Sequence, residues 1–98
     1  WSPKNDRAYR EIGFLYQHLQ YYEKALNYYQ QALSYSQTKE NIYHNMGICY
    51  YQLENYLAAE NFFQSTLELN KDHIEAYGWL AKVNKILQKS HSETFNLN

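Results

Sequence analysis

An all-α fold is predicted, with five antiparallel helices stacked as two helical hairpins and one closing helix, and three features of the 98 residues predict it. The first is a ladder of apolar and small residues. Tyr43, Met46, Gly47, Tyr50, Leu53, Tyr56, Ala59, Phe63 and Leu67 recur at helix spacing, first over one helix and then over a second. The second is a near copy about 34 residues upstream, a period typical of two-helix repeats. There the matching places hold Tyr9, Ile12, Gly13, Tyr16, Leu19, Tyr22, Ala25, Tyr29 and Leu33, and only Ile12 and Met46 differ by more than an exchange of aromatics. The third is a set of short polar breaks where each run ends: Gln20-Tyr21, Ser36-Gln37-Thr38, Glu54-Asn55 and Asn70-Lys71-Asp72.

Each helix follows from these marks. Ser2-Pro3 predicts the start of helix one, since the Ser oxygen can accept from an orphan amide and Pro loses nothing in a first turn. The stripe Tyr9, Ile12, Tyr16, Leu19 carries that helix to Leu19. Gly13 interrupts it and costs roughly 1 kcal/mol against Ala, so Gly13 and Gly47 are expected where a paired helix comes too close for a methyl group. Helix two takes Tyr22 to about Tyr35, with Ala25, Tyr29 and Ala32 facing helix one. Thr38 is the expected cap of helix three, which runs from Lys39 to Leu53. Helix four spans Tyr56 to Leu69. Asp72 and Glu75 have capping-box spacing at the head of helix five, which is expected from His73 to Lys89 with Tyr77, Leu80, Ala81 and Leu87 on its buried side.

The ladder resembles the tetratricopeptide repeat, which asks for a large residue, Leu-Gly, Tyr, Ala, an aromatic, a second Ala and a Pro. The sequence departs from it at Thr66, which stands for the second Ala, and at Gln37 and Lys71, which stand for the Pro. The resemblance implies a single domain over residues 1–98, with unit 1 at about 6–39, unit 2 at about 40–73, a capping helix at about 73–89 and a polar tail at 90–98. It also implies a scaffold that binds other proteins.

Composition excludes several other functions. Nine Lys and Arg against ten Asp and Glu give a net charge of −1, which offers a polyanion nothing, so neither nucleic acid nor an anionic membrane is an expected partner. No apolar run approaches the ~20 residues of a membrane span. One Cys excludes an internal disulfide and a Cys-rich metal site. Four His are scattered without metal-type spacing, and three isolated Gly make no phosphate loop, so no cofactor, metal or catalytic residue is expected. Cys49 reads as a small apolar residue on the side of helix three that faces helix four. Twelve Tyr against four Phe make the core rich in rings whose hydroxyls need a partner. The chain opens on Trp1 rather than Met, so an excised domain or processed product is expected, in the cytoplasm.

In the family that the ladder resembles, the first helix of each unit lines a concave groove. The positions implied are Arg10, Phe14, Gln17 and His18; His44, Asn45, Ile48, Tyr51 and Gln52; Glu75, Trp79, Lys82 and Ile86. One subgroup holds a C-terminal carboxylate with Lys, Asn, Asn, Lys and Arg, where this sequence has Arg10, Phe14, Asn45, Glu75 and Trp79. Phe14 removes a donor, Trp79 removes a guanidinium, and Glu75 puts a negative charge where the carboxylate would sit. The expectation is therefore a protein–protein interaction module that binds a peptide through the apolar anchors Phe14, Ile48 and Trp79, oriented by Arg10, Asn45 and Lys82, within a larger scaffold or chaperone-like protein. The alternative is a self-associating unit. Trp79, Val83 and Ile86 form a second stripe on helix five that a homodimer would cover.

Overall fold

The computed structural model describes residues 5–96 of the chain, and the side chains of residues 5–89. Five helices follow one another: α1 Asp6–His18, α2 Tyr22–Leu33, α3 Glu40–Gln52, α4 Tyr56–Leu69 and α5 Ile74–Asn96. Each packs on its predecessor, and α1, α3 and α5 lie side by side along one face. The stack is elongated, 57 × 28 × 18 Å, with a radius of gyration of 14.9 Å against about 13 Å for a compact chain of this length.

The two hairpins are built alike. A Cβ on Gly13 would lie 3.0 Å from the Tyr29 ring, and one on Gly47 2.7 Å from the Phe63 ring, so glycine is what lets each hairpin close. Both turns are Schellman closures: Tyr21 N–H donates to Tyr16 O and Asn55 N–H to Tyr50 O, around Gln20 at φ 66° and Glu54 at φ 63°. Ala25, Tyr29 and Ala32 pack between α1 and α3 with Ile42, Met46 and Cys49. Ala59 and Phe63 repeat that role under Val83 of α5. Thr66, in place of the expected Ala, is fully buried, and its hydroxyl lies 3.0 Å from Phe62 O and 3.2 Å from Glu40 O, so the substitution is satisfied.

Several helix ends differ from the sequence expectation. Ser2-Pro3 lies outside the described residues, and α1 is capped by the Asn5 side chain, which accepts from Arg7 N and Ala8 N. Thr38 does not cap α3; its own amide donates to Ser36 Oγ, and the cap residue is Lys39, with no side-chain bond. The Asp72–Glu75 box does not form, because Asp72 N–H is taken by Asn70 Oδ1 and His73 Nδ1 accepts from Ala76 N instead. α5 continues seven residues beyond Lys89, to Asn96. With no Gly or Pro after Gly78, the polar stretch offers nothing to break the helix.

Two faces also differ. Cys49 packs into the α2 cluster rather than toward α4. On α5, Val83 and Ala76 are fully buried, whereas Tyr77 is 51% exposed and donates its hydroxyl to Lys71 O. Residues 77 and 81 copy ladder positions that face a unit's own second helix, and among the described residues α5 packs on no such helix. The face it buries is the one turned to the preceding unit. The stripe expected to attract a second copy is therefore not a free surface: Val83 is in the core, and Trp79 packs against the same cluster.

Candidate functional site

Because α1, α3 and α5 are parallel neighbours on one face, they form two crevices there, α1/α3 and α3/α5. The α1/α3 crevice holds a hollow of about 400 Å³, lined by Arg10, Glu11, Phe14, Leu15, Tyr29, Asn41, Ile42 and Asn45. Phe14 is 45% exposed at its edge, with its ring 4.3 Å from that of His18. Arg10 reaches across its own helix to Asp6 at 3.1 Å. Tyr29 forms part of the wall, and its hydroxyl donates to Gln17 Oε1 at 2.6 Å, so Gln17 is engaged in holding that ring.

The α3/α5 crevice is occupied by the chain itself. Trp79 stacks on Phe63 with centroids 5.9 Å apart and meets Tyr51 edge-on at 5.1 Å, while Lys82 Nζ sits 4.8 Å over the indole. Ile48 packs on the same cluster. His44 is 6% exposed, with its ring 4.5 Å from His73 and Nε2 3.7 Å from the Glu75 carboxylate. Burial pushes the His44 pKa down to about 4, helped by His73 and opposed by Glu75. The imidazole is thus neutral at pH 7, the Glu75 contact is not an ion pair there, and His44 Nδ1 is buried without a hydrogen-bond partner among the described residues. His73 accepts at Nδ1, which puts its proton on Nε2, where it donates to Asn41 Oδ1 at 3.1 Å and ties α5 to α3.

The groove residues expected from sequence thus fall into two groups. Arg10, Phe14 and Asn45 meet at the hollow; His44, Ile48, Tyr51, Glu75, Trp79 and Lys82 gather at the filled crevice. Gln52 and His18 are exposed, and Ile86 is half-buried. Glu11, Leu15, Tyr29, Asn41 and Ile42 were missed as lining. The repeat itself held the signal: adding 34 to Asn41, Arg10 and Tyr29 gives Glu75, His44 and Phe63, all members of the second crevice.

Neither the Cys49 thiol nor the Tyr29 phenol is activated as a nucleophile. Burial raises the Cys49 thiol to about 12, and it raises the Tyr29 phenol as well. Among the described residues no helix is long and apolar enough to cross a membrane, and no three or more His, Cys, Asp or Glu gather as a metal site. The family model of the tetratricopeptide repeat matches residues 5–72. Comparison with characterised proteins finds no match.

Proposed function

The chain belongs to the tetratricopeptide repeat family, whose members are in general protein–protein interaction modules, and from that premise we propose that it binds a peptide segment of a partner protein along α1, α3 and α5 through apolar anchors. The proposal includes the division into unit 1 at about 6–39, unit 2 at about 40–73 and a closing helix, a larger scaffold or chaperone-like parent, and a cytoplasmic setting suited to one buried thiol.

The hollow between α1 and α3 carries this reading. A concave, mostly apolar space with Asn41, Asn45 and Arg10 at its margin has the make-up of a side-chain pocket. A terminal carboxylate would find little there: the Arg10 guanidinium is engaged by Asp6 and Lys82 lies on Trp79. Amidating the C-terminus of a bound peptide should therefore leave its affinity nearly unchanged, whereas replacing its apolar anchor by Ala should cost about 1–3 kcal/mol by calorimetry. The opposite ranking would overturn the apolar-anchor reading.

A further inference from the structure

At the head of α5 one histidine side chain makes two bonds that both need it neutral. His73 Nδ1 accepts the Ala76 N–H at 3.2 Å and so caps the first turn of α5, while its Nε2 meets Asn41 Oδ1 of α3 at 3.1 Å. A proton on Nδ1 would turn that acceptor into a second donor and leave the Ala76 amide without its cap. His44 of α3 lies directly against this ring, with centroids 4.5 Å apart. It is buried, and a proton added at its Nδ1 would find no acceptor among the described residues. The charged groups that act on His44 are His73, which disfavours a second cation, and Glu75 of α5, which favours one; α4 presents only the uncharged Phe63 ring. Glu75 is the weaker influence, because its side chain is 80% exposed and water screens it.

The rest of the stack does not need α5 in the same way. The core cluster of Ala25, Tyr29, Ala32, Ile42, Met46 and Cys49 contains no α5 residue, and among the described residues α5 packs only on α3 and α4. Gly78, in the second turn of α5, lowers its helix propensity while nothing packs against it.

We infer that the His44–His73 contact is an acid-operated latch: in mild acid α5 leaves α3 and α4 as a unit, while the hairpins α1/α2 and α3/α4 stay folded. This stands on the α3/α5 seam and does not depend on peptide binding. Release hydrates His44 and separates the two rings. Because His44 holds its proton more weakly in the closed form, at about 4 against 6.5, opening takes up a proton and is favoured as pH falls through that range. Between pH 7 and pH 5 the ratio of open to closed chains should rise about 20-fold. Opening also carries Trp79 and Lys82 off the α1/α3/α5 face and exposes Phe63 and Val83.

The test is amide hydrogen exchange of the whole chain, followed by NMR and corrected for the intrinsic pH dependence of exchange. Leu80 and Val83 amides are expected to lose about 20-fold in protection between pH 7 and pH 5 and, at pH 5, to respond little to low urea, as a local opening does. Ala25 and Tyr29 amides should stay better protected and show the steeper urea dependence of global unfolding. His44→Phe removes the titrating group, so α5 protection in this variant should change less than about twofold over the same interval. Should that variant misfold, His73→Asn serves, since Asn keeps a neutral acceptor at the head of α5 and removes the second cation; its pH response should be smaller than the parent's. Equal protection and equal urea dependence for α2 and α5 at pH 5 would mean that acid loosens the whole chain, and would overturn the latch. An α5 protection that does not fall between pH 7 and pH 5, or a fall undiminished in the variants, overturns it as well.

Discussion

The three glycines show how one residue type can have three different energetic roles. At Gly47 a methyl group would meet the Phe63 ring at 2.7 Å, and that ring is fully buried against Trp79. Overpacking of about 1–3 kcal/mol outweighs the roughly 1 kcal/mol that Ala gains in helix propensity, so Gly47→Ala should lower the melting temperature. Gly13 has 3.0 Å to Tyr29 and should lose less. Gly78 is exposed with nothing within 4 Å, and Gly78→Ala should stabilise the chain by about 0.5–1 kcal/mol. Thermal melts of the three variants check the order. The close approach at Gly13 and Gly47 was legible in the sequence because both stand at one ladder position; the openness of Gly78 depends on which helices α5 meets among the described residues. His44 was legible only as a groove position. Its neutral, buried state comes from α5 closing over it, a contact between residues 31 apart in His44 and Glu75. With a folded pKa of about 4 against 6.5, the unfolded chain takes up the proton first. The stabilising contribution of neutral His44 is complete above about pH 6.5 and lost as pH falls toward 4, about 2 kcal/mol between pH 7 and pH 5. Urea melts of the parent and of His44→Phe should diverge over that interval, and parallel curves would contradict the assignment.

At the level of the elements, the ladder placed all five helices, because apolar periodicity and tertiary packing agree wherever a helix has both neighbours. The ends were less legible. Asn5, Ser36 and His73 take the capping and turn roles assigned to Ser2, Thr38 and Asp72, and several candidate oxygens or nitrogens within a few residues make such choices nearly degenerate in energy. The rotation of α5 was misjudged for a structural reason: the ladder records faces used inside a complete pair, and among the described residues α5 packs only on the preceding unit, through its other face. The same logic explains Leu15, which is 62% exposed while Cys49 and Val83 at equivalent places are fully buried, since among the described residues no helix packs on that side of α1. Gln20 and Glu54 hold left-handed backbone at a cost of about 1–2 kcal/mol against an unstrained residue. Glycine at these positions removes that strain and returns part of it as unfolded-state entropy, so Gln20→Gly and Glu54→Gly should each gain about 0.5–1 kcal/mol in urea melts. A loss at both would show that the side chains contribute more to the turns than their exposure suggests.

Across the whole molecule, the repeat produces two related crevices, one filled and one open, whose lining differs at every matching position, Asn45 against Trp79 and Ile42 against Ala76 among them. Arg10, Phe14 and Asn45 were readable from the ladder as residues of this face, but Glu11, Leu15, Tyr29, Asn41 and Ile42 were not, nor was the division into a filled and an open crevice, because volume is decided by which side chains meet across helices. Phe14 and Trp79 look alike as apolar residues in a sequence; one is at the edge of a hollow and the other fills its counterpart. The central claim, that ligand is held on the α1/α3/α5 face, is tested most directly by selecting a peptide from a random library and measuring its affinity for two variants. Phe14→Ala removes an exposed apolar side chain beside the hollow, and Leu57→Ala removes one that is 65% exposed on α4. The expected result is a loss of about 1–3 kcal/mol for Phe14→Ala and no change for Leu57→Ala. A loss confined to Leu57→Ala would place the binding surface on the second helices and contradict the account.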